Sequence, residues 1–153
     1  FRLRIEGEGL AAALQVTVTE FSNRGDIPIS LDVHLAGCTL TPNEEIHALQ
    51  IVREALSNVL NHAQARQVQV CVNCVSDGSV SATITDDGIG IHQTAGAHHY
   101  GMTIMEERAK NLGGQLMVEN LPTLGTRVTL RFMPGSRRDA TIPIHPVHQT
   151  ETL

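Results

Sequence analysis

Thr41–Ala65 reads TPNEEIHALQIVREALSNVLNHAQA, and the rest of the chain takes its meaning from this stretch. Thr41 is suited to accept a hydrogen bond at a helix N-cap, Pro42 suits the first helical position, and Glu44 and Glu45 complement the positive end. Together they predict a helix from about Pro42 to Ala65. At about 100° per residue, Ile46, Leu49, Val52, Leu56, Val59, Leu60 and Ala63 fall within one half of its circumference, the half expected to face a sheet. Glu54, Asn58, Asn61 and His62 follow at i, i+4, i+7 and i+8 and share an arc of about 100° on the other side. Alone, such a cluster reads as a solvated helix face.

Upstream, Leu10, Leu14, Val18 and Phe21 have helical spacing while Val16-Thr17-Val18-Thr19 favours a strand; the reading taken is a helix. A turn is expected over Asn23–Pro28, then a strand from the alternation of Ile29, Leu31, Val33 and Leu35, ending at Gly37. Downstream, strands near Gln67–Val75 and Ser79–Thr85 are joined by an Asp77-Gly78 hairpin signal and are expected to pair antiparallel. A loop bearing glycine and histidine follows to Gly101, then a helix near Met102–Leu112 stopped by Gly113-Gly114. Strands near Gln115–Glu119 and Thr126–Phe132 complete a domain over 1–133. Residues 134–153, rich in proline, histidine, threonine and arginine, read as a disordered tail. The fold class expected is α+β: a two-layer sandwich, a mixed sheet with helices on one face.

The 153 residues suit one domain, and 41% hydrophobic with 18% charged residues is ordinary for a soluble globular chain. A net charge of −5 gives no reason to expect nucleic acid or an acidic membrane as partner. No apolar run approaches the roughly 20 residues that cross a bilayer. The chain opens on Phe1 without methionine and reads as a piece of a longer parent. Three cysteines, Cys38, Cys71 and Cys74, are an odd number without repeated spacing, which argues against a disulfide framework and fits a reducing cytoplasm. Cys71-x-x-Cys74 lies within a strand-like run, where an odd separation points the two side chains to opposite faces, so a structural strand is expected there instead of a zinc site. His92, His98 and His99 lack accompanying carboxylates and are read as loop contacts; His145 and His148 belong to the tail. No G-x-x-x-x-G-K-[ST] occurs, which excludes a P-loop.

The polar cluster gains meaning from Asp86-x-Gly88-x-Gly90, from the loop ending at Gly101, and from Leu124-Gly125-Thr126 entering the last strand. In this order the segments resemble the ATPase superfamily that unites histidine kinases, gyrase-type topoisomerases, Hsp90 chaperones and mismatch-repair proteins. Glu54-Ala-Leu-Ser-Asn58-Val-Leu-Asn-His62-Ala63 looks like its N box, Asp86-Asp-Gly88-Ile-Gly90-Ile91 like its first glycine box, and His99-Tyr100-Gly101-Met102 through Gly113-Gly114 like its second. Gly125-Thr126 resembles the third. Histidine at position 62 and the runs around His47–Ala55 and His99–Ala109 are similar to the branch containing nitrate/nitrite sensor kinases.

That resemblance implies a histidine-kinase catalytic domain binding ATP and Mg2+. Asp86, at a strand end, would accept a hydrogen bond from the adenine amino group, with the Thr126 hydroxyl in support. Gly88 and Gly90 would let the backbone pass close to the nucleotide. Asn58 would offer a carbonyl oxygen to magnesium, which prefers oxygen ligands, and Glu54 would act as general base. His62, His99 and Met102 would contact ATP, and Gly101 would open a helix whose amides receive phosphate. Residues 88–100 would form a lid. The partners implied are dimerisation helices bearing the acceptor histidine and a response regulator, in a homodimeric inner-membrane parent with this domain in the cytoplasm. Two features depart from the pattern: the phenylalanine-containing box is missing, and the lysine three residues after the second N-box asparagine position is replaced by Ala65, with Arg66 beside it. Arg66, Arg108 and Lys110 are the candidates for neutralising phosphate. An ATP-hydrolysing conformational machine and a nucleotide-binding module without catalysis remain alternatives.

Overall fold

The computed structural model describes residues 8–90 and 97–136, with the side chains of 8, 63 and 97–100 left aside. Helix α1, Glu8–Gly25, buries Leu10, Leu14, Val18 and Phe21, each at most 3% exposed. The β-branched run at 16–19 does not make a strand, because burying that stripe outweighs the small propensity cost of valine and threonine in a helix. Strand β1, Ile29–His34, follows.

Helix α2, Pro42–Asn58, starts as its sequence dictates: the Glu44 amide donates to Thr41 Oγ1 at 3.1 Å and the Thr41 amide to Glu44 Oε1 at 2.9 Å, a reciprocal capping box. The helix does not continue regularly to Ala65. Val59–Ala63 widens into a π-helical turn, and Gln64 ends it in the left-handed region at φ 53°. Its buried face also differs from the expected one. Ala48, Ile51, Val52, Ala55, Leu56 and Val59 are buried, Leu49 and Leu60 only partly so, and Ile46 is 54% exposed. The helix packs against α1 as well as the third helix, so the side it buries is set by two helical neighbours and not by the sheet alone.

Strands β2 (Val68–Cys74), β3 (Val80–Asp86), β4 (Gln115–Asn120) and β5 (Thr126–Phe132) join β1 in one mixed sheet of order β1-β2-β3-β5-β4. Only β1 with β2 is parallel, and α2 lies in the crossover that a parallel pair requires. At the β2–β3 hairpin Gly78 takes φ +91°, and Asp77 Oδ1 accepts from the Ser79 amide (2.9 Å) and hydroxyl (2.6 Å). Val68, Val70, Val72, Val80, Ala82, Ile84, Val128, Leu130 and Phe132 are buried on the helical side, while the alternate positions are partly or fully exposed. This is the expected α+β layering, one apolar sheet face under a helical layer.

Helix α3 spans Ala97–Asn111 and ends in a Schellman motif: the Gly113 amide bonds the Lys110 carbonyl and the Gly114 amide the Ala109 carbonyl, both at 2.9 Å, with Gly113 at φ +66°. Its start lies five residues before the expected Met102. Beyond β5, the Gly135 amide donates to Glu44 Oε2 (2.7 Å) and Ser136 Oγ to the Thr39 carbonyl (3.1 Å). The rest of the expected tail lies outside the described residues.

Cys38 and Cys74 form a disulfide across 36 residues, with Cα atoms 5.8 Å apart, and Cys71 is free. This corrects the expectation drawn from the odd count. Parity cannot reveal that the loop after β1 lays a fully buried Cys38 over the end of β2, where Cys74 points to the opposite face from Cys71. Among the described residues no helix is long and apolar enough to cross a membrane.

Candidate nucleotide-binding site

Asp86 is the last residue of β3 and the register partner of Thr126, the first of β5. It is 5% exposed, its Oδ1 accepts from the Gly88 amide at 2.8 Å, and the Thr126 amide also donates to its carboxylate. Burial raises its pKa above the usual 3.8; the two amides oppose the shift and the neighbouring Asp87 charge adds to it. A buried carboxylate with acceptor capacity left over is suited to a donor brought by a ligand. The Thr126 contact with Asp86 is thus made by its backbone amide, where the expected support was its hydroxyl. Two glycines make room for the turn: Gly90 sits at φ +87° with Asn120 Oδ1 2.9 Å from where a Cβ would lie, and at Gly125, φ +102°, a Cβ would strike the Asp86 carbonyl. Gly88 has no positive φ; its contribution is the amide on Asp86.

Above Asp86 lies a cleft whose lining joins the segments that sequence singled out: Asn58 and His62 from the helix end, Asp86 and Gly90, Met102 from α3, and Thr126. Ala55, Val59, Ile84, Met105, Val118 and Val128 complete it as an apolar slot that sequence reasoning did not assign. Periodicity marks these six as core, and most of them are, Ile84 and Met105 being at most 1% exposed. Only the spacing between α2, α3 and the sheet leaves a flat apolar gap beside them. The Met102/Met105 pair, at helical i, i+3 spacing, was the one available signal.

Glu54 does not line this cleft but stands at its edge. A Cβ on Gly101 would lie 2.8 Å from Glu54 Oε2 and 3.2 Å from Asn58 Oδ1, so both side chains converge on the glycine. Gly101 does not open a helix, as expected, but lies in the second turn of α3, because residues 97–100 are already helical. Its function is steric, letting α3 approach Glu54 and Asn58; the amides left free by the helix start belong to 97–100. The side chain of His99 lies outside the description, as do residues 91–96 of the expected lid and with them His92.

None of Arg66, Arg108 and Lys110 lines the cleft. Arg108 Nη1 lies 3.2 Å from His47 Nδ1 on α2, Lys110 lines a separate groove beside Glu106 and Glu107, and the Arg66 amide donates to Asp87. Among the described residues no group of three or more His, Cys, Asp or Glu side chains is placed to hold a metal; the side chains of the loop histidines His92, His98 and His99 lie outside them. The half-buried carboxylate and amide of Glu54 and Asn58 are an oxygen pair of the kind magnesium takes when phosphate supplies further oxygens.

Residues 43–136, which contain the whole cleft, match the model for histidine kinase-, DNA gyrase B-, and HSP90-like ATPases. The chain belongs to this ATPase family. As an ATPase-family domain it has ATP as its substrate. Over 135 residues, 88% of the chain, it is 40% identical to the nitrate/nitrite sensor protein NarX of Escherichia coli K12. It is 35% identical to the nitrate/nitrite sensor protein NarQ of the same organism over 86% of the chain. The chain spans only 22% and 24% of the length of these two relatives. The same fold is found in the blue-light activated histidine kinase of Erythrobacter litoralis, with a TM-score of 0.72 over 85% of this chain and 43% of that one at 22% identity. It is found again in the ATP binding domain of PrrB from Mycobacterium tuberculosis, with a TM-score of 0.65 over 80% and 92% of the two chains at 22% identity.

Proposed function

We propose that this chain is the catalytic ATP-binding domain of a two-component sensor histidine kinase that takes part in nitrate/nitrite signalling. The observation that carries the reading is the convergence of Glu54 and Asn58 on Gly101, beside a cleft closed at its base by Asp86. A binding module without catalysis needs the buried aspartate, and Asn58 for the metal, but has no use for the Glu54 carboxylate held beside that amide at the mouth. The likeness to two nitrate/nitrite sensors supports the choice within the ATPase family.

The adenine amino group donates to Asp86 while the ring lies against the apolar slot and the turn at Gly88 and Gly90. Asn58 and the phosphate oxygens hold Mg2+, which supplies charge neutralisation for the triphosphate. Met102, His62 and His99 contact the bound nucleotide. An imidazole nitrogen of the acceptor histidine, on dimerisation helices outside this chain, attacks the γ-phosphorus in line; a P–N bond forms, the bond to the β–γ bridging oxygen breaks, and ADP leaves. Glu54 takes the proton from the attacking imidazole. The phosphoryl group then passes to an aspartate of a response regulator. The parent is a homodimeric inner-membrane sensor with this domain in the cytoplasm, and no nucleic acid is involved.

The test is calorimetric titration of the chain with ATP and Mg2+, alongside Asp86→Asn and Asn58→Asp, followed by phosphoryl transfer to added dimerisation helices. Loss of ATP binding in Asp86→Asn and labelled histidine on the helices are expected. Equal binding of GTP, or hydrolysis of ATP with no transfer to histidine, would sink the kinase reading.

A further inference from the structure

Asp87, the neighbour of the adenine-binding carboxylate, belongs to none of the roles above, and an aspartate at a turn is ordinarily a solvated charge. Its contacts are more specific than that. Asp87 Oδ1 accepts from the Arg66 amide at 2.8 Å and from the Gln67 amide at 3.1 Å. The β2–β3 pairing ends at Val68 opposite Asp86, so these two amides lie just beyond the ladder and the carboxylate takes the place of the next strand carbonyl. Arg66 and Gln67 follow the π-helical turn Val59–Ala63, which begins directly after Asn58, carries His62 and is capped by Gln64.

We propose that Asp87 is a positioning residue for nucleotide binding: its two amide bonds tie the turn that presents Asp86 to the end of the helix that presents Asn58 and His62. The inference rests on the nucleotide-site reading above. Asp86 and Asp87 divide the work, one facing into the cleft and the other bonded across the base of the turn. Both amides lie at the surface, where water would satisfy them if Asp87 were absent, so the bonds are not required to avoid a buried unpaired donor. What the carboxylate adds is a fixed distance between the base-binding and phosphate-binding halves of the site. Two amides donating to it, against slight burial, hold its pKa below the usual 3.8, in keeping with bonds made to the ionised form.

The experiment compares the unaltered chain with Asp87→Ala, Asp87→Asn and Asp87→Glu, at a temperature where melting curves show all four folded. ATP affinity is measured by calorimetry and protection of the Arg66 and Gln67 amides by hydrogen exchange without nucleotide. Asp87→Ala should weaken ATP binding about tenfold and lose protection at both amides, the scale of losing one charge-assisted contact. Asp87→Asn keeps an oxygen in place and should restore most of both. Asp87→Glu keeps the charge but moves it a methylene outward and should restore neither fully. Unchanged ATP affinity in Asp87→Ala, equal losses in the alanine and asparagine variants, or full function in Asp87→Glu would each overturn the proposal. Should the unaltered chain fail to bind ATP, the nucleotide reading falls, while amide protection unchanged by Asp87→Ala would remove Asp87 independently.

Discussion

Gly101 leaves the space that Glu54 occupies: a β-carbon on the glycine would lie 2.8 Å from the glutamate's Oε2, inside van der Waals contact. Alanine is favoured over glycine inside a helix by about 1 kcal/mol, and the atom it would crowd is the free end of a flexible side chain. Gly101→Ala should therefore melt no lower than the unaltered chain. Displacing Glu54 from Asn58 should nevertheless lower phosphoryl transfer to histidine about a hundredfold, the usual scale for a misplaced general base. Thermal melting and a transfer assay on one preparation check both halves; a parallel loss of stability and rate would remove the steric explanation.

Asp86→Asn likewise separates binding from stability. Because burial raises the Asp86 pKa, the folded chain holds its proton to higher pH than the unfolded chain does. The contribution of Asp86 to stability is therefore greatest at low pH and declines as pH rises from the usual 3.8 through the raised value. At neutral pH the ionised, buried group is a cost, and asparagine, which retains an oxygen for the Gly88 amide, should leave the melting temperature unchanged or higher. ATP affinity should collapse. In the unaltered chain, affinity should fall on acidification at a pH above 3.8, which titration at several pH values would detect.

Gly125→Ala should be destabilising by about 2 kcal/mol or more, since its φ of +102° is strained for any residue with a β-carbon and that atom would strike backbone, not a mobile side chain. Denaturant unfolding measures this. The same substitution should weaken ATP binding, because the strand end it displaces is Asp86.

The Cys38–Cys74 bond closes a long loop, and the chain-entropy argument assigns about 4 kcal/mol to a closure across 36 residues. Oxidised chain should accordingly unfold at higher denaturant than chain treated with dithiothreitol, and thiol titration of the unfolded forms should count one free thiol against three. Identical midpoints would mean that the link contributes no stability. In the reduced form Cys38 Sγ, 3.4 Å from the Gly78 carbonyl, has an acceptor for its thiol proton, so the fold itself should survive reduction.

Local chemistry was enough to read much of this molecule. Thr41, Pro42 and Glu44 announce α2 because a cap is decided within four residues, Gly113-Gly114 stops α3 for the same kind of reason, and alternating valines mark β2. The residues brought to the cleft, Asn58, His62, Asp86, Gly90, Met102 and Thr126, were legible as chemistry because their spacing follows an ATPase family pattern.

Contacts between distant segments were not legible in that way. Which side of α2 is buried depends on α1 and α3, and so Ile46 faces solvent while Ala48 and Ala55 do not. Pairing of Cys38 with Cys74 depends on how a loop lies across the sheet. Gly101 reads as a helix start in one dimension and as a gap for Glu54 in three. Periodicity reports which residues avoid water, and caps report where backbone groups run out of partners; both are local. An apolar slot is instead the space left between elements that no single segment encloses, so only their packing could decide that a cleft lies beside Asp86 and that Asp87 bonds the Arg66 and Gln67 amides.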